Sequence, residues 1–319
     1  MIRSQVNSIL LTFDVEDWFQ VENFKECIPF SSWPDCQLRV EKNTHRLLDL
    51  LDSIEVRRPA DSQKSESPAD TGNPRATFFI LGWIAQRLSH LAREIHARGH
   101  EVASHGFNHN LCNHESPDVL KRDLADSRKL LEDIIGRPVY GYRAPSFSVS
   151  EEILEIIEES GYLYDSSLNT FRMNRRYGRV DLYKKTRRGI ALKFSDSFYE
   201  LPISNITVGR YALPLGGGAY FRLIPFSLFQ FGVEAILRRQ RAYLFYLHPW
   251  EIDPEQPRVK DASLFHRFRH YANLRATASR LSLLIESCRP ASFATCCQYL
   301  EQEDRDGEGA GRNEGPHLS

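Results

Sequence analysis

Short β-rich runs alternate with helix-length amphipathic segments along almost the whole chain, and this alternation constrains the fold more than any other feature. The runs 9–13, 76–80, 101–104, 139–142, 162–164, 243–247 and 292–294 read as strands, rich in β-branched and aromatic residues. Between them, 41–54, 83–97, 117–135, 150–159, 225–239 and 271–287 repeat apolar residues at helical spacing. In 117–135, Leu120, Leu124, Leu131 and Ile135 form one core-facing stripe. Ser150 with Glu151 and Glu152 opens the next helix, and Gly161 lies just past its end. Such a pattern predicts an α/β fold, a parallel sheet or barrel with its functional groups at the carboxyl ends of the strands.

The alternation extends through one domain, residues 1–300 of 319. Residues 57–75 hold three Pro, many polar residues and no large apolar one, so they read as a flexible insertion. The acidic, Gly-rich stretch 301–319 reads as a disordered tail. Lys and Arg number 41 against 42 Asp and Glu, which builds no broad positive field for nucleic acid or an anionic membrane. No apolar run nears the roughly 18 residues of a membrane span. The polar start and six Cys without C-x-x-C spacing point to free thiols and a cytoplasmic location.

Ionisable residues follow the strands in succession. Asp14, Glu16 and Asp17 come after 9–13, His105 and His109 after 101–104, and Arg143 after 139–142. Asp165 ends 162–164, and His248 ends 243–247. In a barrel these ends converge on one rim. Two imidazoles and a carboxylate suit a zinc-like cation with open positions. A second carboxylate can take a proton from water, and a separate His can protonate a leaving amine. An Arg beside the base would keep it ionised, and an Asp beside the acid would raise its pKa and fix its tautomer.

The ordered set Thr12-Phe13-Asp14, Ser104-His105-x-x-x-His109, Arg143-Ala144-Pro145, Asp165-Ser166-Ser167 and Leu247-His248 resembles the NodB-homology polysaccharide deacetylases, the family-four carbohydrate esterases. Phe13-Asp14-Val15-Glu16-Asp17-Trp18 and His248-Pro249-Trp250-Glu251 resemble the exosortase-associated subgroup of bacterial exopolysaccharide loci. The resemblance implies a distorted (β/α) barrel of about seven strands. It implies Asp14 as general base, His105 and His109 as metal ligands, Arg143 as the residue tuning Asp14, and Asp165 as the residue orienting the general acid His248. It also implies an oxyanion site at Pro145-Ser146, through the Ser146 N–H. The family's adjacent Asp-Asp is absent, so the third ligand is either Glu16 or Asp17. Strand alternation puts Asp14 and Glu16 on one face and favours Glu16. The implied cofactor is Zn²⁺ or a similar divalent cation. The implied activity is N-deacetylation of acetylated amino sugars in a glycan or a lipid-linked oligosaccharide. Hydrolysis of small cyclic amides on the same fold, or silent glycan binding, are the alternatives.

Overall fold

The computed structural model describes residues 6–57, 71–169, 186–208 and 211–311. In chain order the elements are β1 (Ser8–Val15), α1 (Val40–Asp52), β2 (Val56–Arg57), β3 (Thr71–Gly72), β4 (Ala76–Ile80), α2 (Gly82–Arg87), α3 (Ser89–Ala97), β5 (Glu101–Ser104), α4 (Pro117–Ile135) and β6 (Gly141–Tyr142). There follow α5 (Glu151–Glu159), β7 (Tyr164–Asp165), β8 (Thr186–Arg188), β9 (Ala191–Lys193), β10 (Tyr199–Glu200), β11 (Ile206–Val208) and β12 (Tyr211–Leu213). The chain continues through α6 (Gly218–Leu223), α7 (Phe226–Gln240), β13 (Ala242–Leu247), α8 (Leu264–Tyr271), α9 (Leu274–Ser287), β14 (Ser292–Phe293) and α10 (Cys296–Gly311).

Every residue of β1 is buried, as a strand covered on both faces requires. It pairs in parallel with β13 from Ser8↔Ala242 to Phe13↔Leu247. Its other edge takes β14 at Ser8–Ile9 and β4 from Leu11 to Val15. The parallel order then runs β4, β5, β6, β7, β10 within a sheet of twelve strands. Backbone without regular structure closes the ring. Leu201 N donates to Asp165 O at 2.8 Å, Ser204 N to Leu244 O at 3.3 Å, and Tyr246 N to Gly216 O at 2.7 Å. The ring β13, β1, β4, β5, β6, β7, β10 is the distorted barrel of about seven strands that the resemblance implies, and its carboxyl ends share one rim.

Helix α4 keeps its expected limits, with Pro117 in its first turn and Gly136 left-handed at its end (φ 66°). Three expectations change. The helix read over 83–97 is two, α2 and α3, broken at Leu88 (φ −125°, ψ 53°). The helix read from 271 starts at Leu274, because Asn273 takes the left-handed conformation that Asn tolerates. Part of the tail expected from 301 is ordered as α10, whose Asp304 accepts from Tyr199 Oη and Arg188 Nη1, each at 2.6 Å. Those bonds, with Tyr199 and Tyr299 buried nearby, offset the ordering entropy that composition alone suggested would win. Residues 312–319 lie outside the described residues. So do 58–70 of the expected insertion, whose ends pair antiparallel as β2 and β3. All six cysteines are free. Among the described residues, no helix is long and apolar enough to cross a membrane.

Candidate active site and metal centre

Glu16, His105 and His109 converge at the rim, buried, with one ligand atom from each lying within 4.8 Å of the others. Glu16 follows β1 directly, where the backbone turns with Glu16 N donating to Asp14 O at 2.9 Å, and its carboxylate lies at the rim with Asp14. His105 follows β5, and its Nδ1 donates to the Arg143 carbonyl at 2.8 Å. A carbonyl can only accept, so the proton sits on Nδ1 and the Nε2 lone pair is free for a cation. His109 reaches the same point through a tight turn with positive φ at Gly106 (75°) and at His109 itself (57°). The turn is held by Phe107 N donating to Asp123 Oδ1 at 3.0 Å.

His109 Nε2 lies 3.0 Å from Glu16 Oε2, yet the pair lacks hydrogen-bond geometry and Oε2 is buried without a hydrogen bond. Two ligands of a tetrahedral zinc-type ion sit about 3.3 Å apart by its bond lengths. An unbonded carboxylate oxygen and a free imidazole lone pair at that spacing fit a divalent cation. Asp17, the alternative ligand, is turned away. Its Oδ2 accepts from Arg39 N (2.6 Å) and Val40 N (2.9 Å), capping α1, and its Oδ1 accepts from Trp18 N. Burial pushes the Asp17 carboxyl up to about 6 despite these bonds.

Asp14 and Arg143 form a second buried unit, with Oδ1 and Nη1 2.6 Å apart. Arg143 is fully buried and also donates to Thr12 Oγ1, Ser166 O and Ser166 Oγ at 2.8–2.9 Å. Its guanidinium lies 4.1 Å over the Phe79 ring. A planar fork with this many acceptors has one orientation, so Asp14 is held rigidly.

His248, after β13, completes the cleft. Its Nε2 lies 2.9 Å from Glu16 Oε1 and 3.9 Å from Asp14 Oδ2. The expectation that Asp165 orients His248 is corrected. Nδ1 of His248 lies 2.8 Å from Glu251 Oε1, three residues on in the 3₁₀ turn Pro249–Ile252. Asp165 instead accepts from Ser167 N (2.9 Å) and Ser167 Oγ (2.6 Å), and Ser167 Oγ accepts from Ala144 N at 2.7 Å. Its two-residue strand turns the carboxylate under the Arg143 loop, beside the buried Glu200; burial raises both carboxyls, and the Asp165 charge raises Glu200 further. Glu251 is anchored by Arg222, with Nε and Oε2 2.8 Å apart. Arg222 is itself buried and donates to the carbonyls of Arg269, His270 and Ala272. These carbonyls are left open where α8 breaks before α9.

The charges follow from this packing. Burial opposes the His248 cation, but Glu16 and then Glu251 outweigh it and raise its pKa to about 10. Burial would raise the Glu251 carboxyl, but Arg222 and His248 hold it down at about 2. Burial lowers His105 to about 4, keeping the imidazole neutral as a ligand must be.

The open space at the rim, about 110 Å³, is lined by Asp14, Glu16, His105, His109, Ser146 and His248, among others. Ser146 is left-handed (φ 52°, ψ 24°), and Pro145 is buried behind it. Sequence reasoning gave Glu251 and Arg222 no role. Glu251 carried one signal, its spacing of three from His248, which suits a turn. Arg222 carried none.

The polysaccharide deacetylase family model matches residues 70–164, and a domain of unknown function, DUF3473, matches 166–301. Asp14 and Glu16 precede both matches. A peptidoglycan-N-acetylglucosamine deacetylase of Bacillus cereus is 30% identical over 87 residues, 27% of this chain and 40% of that protein. A peptidoglycan deacetylase of Helicobacter pylori is 31% identical over 97 residues, 29% of this chain and 32% of its own. The chain thus spans less than half the length of these curated relatives. A crystal structure from Mycobacterium smegmatis, assigned as a polysaccharide deacetylase, superposes with a TM-score of 0.58 at 20% identity, covering 96% of this chain and 93% of its own. That likeness extends the shared fold over nearly the whole chain. Residues 70–164 thus match the polysaccharide deacetylase family, and the fold that carries them is shared with the Mycobacterium smegmatis structure over nearly the whole chain.

Proposed function

We propose that this protein is a metal-dependent N-deacetylase that removes acetyl groups from N-acetylated amino sugars of a bacterial exopolysaccharide or its lipid-linked precursor. One observation carries the reading. A carboxylate held by a buried Arg and an imidazole held by a buried Glu face one cleft that three candidate metal ligands also line. A bound divalent cation, zinc by the ligand types, would act as a Lewis acid toward the amide carbonyl and make water more acidic.

The chain's own groups supply the rest. Asp14 keeps Oδ1 on Arg143 and offers Oδ2 to the proton of the attacking water. His248 has Nδ1 committed to Glu251, which leaves Nε2–H to donate to the departing amine. An amine is a poor leaving group, so a positioned imidazole donor suits an amide better than an ester. Ser146 lines the same cleft, and its N–H would donate to the developing oxyanion.

The test is acetate release from oligomers of N-acetylglucosamine and N-acetylgalactosamine, with chelator and after adding back Zn²⁺ or Co²⁺. Release that chelation abolishes and metal restores is the expected result. No release from any N-acetylated glycan, or release indifferent to chelation, would overturn the reading.

A further inference from the structure

Helix α8 is amphipathic with its apolar side turned outward. Leu264, Phe265 and Phe268 are 80%, 69% and 62% exposed. At about 100° per residue, these three side chains fall within an arc of about 100°. On the opposite side His270 is buried, stacked 4.1 Å from Trp250. Arg267 and Arg269 flank the apolar arc on its two sides. Scattered exposed apolar residues are ordinary, but Leu264, Phe265 and Phe268 sit together on one side of one eight-residue helix.

The charge around the patch identifies what covers it. The segment 258–270 holds Arg258, Lys260, Arg267 and Arg269 against the single acid Asp261. None of these four cations forms an ion pair among the described residues. The whole chain carries a net charge of −1, so this excess is local. Glu22, Glu26 and Asp261 line a groove at the start of the helix, away from the apolar arc's centre. A second copy meeting the patch about a two-fold axis would bring one basic segment against the same segment, which like-charge repulsion disfavours. Exposed Phe and Leu between unpaired Arg and Lys suit the interface of an anionic bilayer, where the rings enter the headgroup boundary and the cations meet phosphates.

We propose that α8 docks this protein on anionic phospholipid membranes. Arg269 and His270 of the same helix line the catalytic cleft, so docking brings the cleft mouth to the lipid surface.

The experiment is co-sedimentation of the full chain with vesicles of phosphatidylcholine alone or in equal parts with phosphatidylglycerol. The expected result is binding to the anionic vesicles that is at least about tenfold weaker on phosphatidylcholine alone. Leu264→Ser/Phe265→Ser/Phe268→Ser should lower that binding about tenfold or more, and Lys260→Glu/Arg267→Glu should do the same through charge. Both variants should keep wild-type melting and wild-type acetate release from a soluble oligosaccharide. Absence of binding to anionic vesicles, or binding that neither variant weakens, would overturn the proposal. So would a solution dimer that the triple variant dissociates, which would assign the patch to a second copy. Vesicle binding by a protein that releases no acetate would sink the proposed activity and leave the docking surface standing.

Discussion

The two sides of the cleft are built by different means. On the base-and-ligand side, Asp14, Glu16, His105 and Arg143 each lie at or within one or two residues of the end of a parallel barrel strand, and their neighbours hold them directly. On the acid side only His248 has that origin. Its support comes from Glu251 in the next turn, from Arg222 on α6, and from carbonyls exposed by the α8–α9 break. Both sides bury an Arg against a carboxylate, but Arg143 braces strand ends while Arg222 ties α6 to the His248 turn and the end of α8. One side is therefore a property of sheet register, and the other of packing between distant segments.

The largest expected effect tests the first side. Asp14→Asn should cut deacetylation by about 10²–10⁴-fold in steady-state assays while metal content, read by elemental analysis, stays at wild-type level. Loss of metal in step with activity would make Asp14 a ligand and erase its separation from Glu16. Conversely, His109→Ala should lose most of its bound metal, since a three-ligand site cannot spare an imidazole.

Arg222→Met tests the second side. It leaves Glu251 buried beside a single partner, and denaturant unfolding should show a loss of about 3–5 kcal/mol. A loss below about 1 kcal/mol would mean that the network is ornamental.

The same network sets a pH dependence. Glu251 is held at about 2, below its usual 4.5, so its contribution to stability is complete above about 4.5 and disappears as pH falls toward 2. A displacement of this size corresponds to roughly 3 kcal/mol. Glu251→Gln should flatten the fall in unfolding free energy over that acid range. It should also slow amide hydrolysis about tenfold or more while sparing an activated aryl ester, whose leaving group needs less protonation. Asp165→Asn should leave that amide-to-ester ratio unchanged. If Asp165→Asn shifts the ratio and Glu251→Gln does not, the assignment of the orienting carboxylate is reversed.

The smallest effect separates Asp17 from Glu16. Asp17→Ala removes the cap of α1 and should cost about 1 kcal/mol, with metal content unchanged, whereas Glu16→Gln should lower metal affinity.

Much of the first side is legible in the residue pattern alone. β4 and β5 fall on the residues that the apolar runs mark, and alternation along the first strand favours Glu16 over Asp17 as the neighbour of Asp14. The end of α4 at Gly136 follows from local chemistry in the same way. The Asp165 pairing is misread from sequence because strand-end position says which rim a residue occupies, not which neighbour its carboxylate meets. At Asp165 that neighbour is Ser167, two residues away. At His248 it is Glu251, whose turn spacing is visible but whose role depends on Arg222.

The sequence by itself determined the alternating elements and the rim that gathers the ionisable residues, from which the family resemblance singled out the base and the metal-ligand imidazoles. Those depend on periodicity and on what directly follows a strand, which are local properties of a chain. Only the tertiary structure decided which carboxylate supports His248, that Arg222 is buried at all, and that α8 presents its apolar side to solvent. A periodic pattern marks an apolar face, but only the packing of other segments decides whether that face is covered.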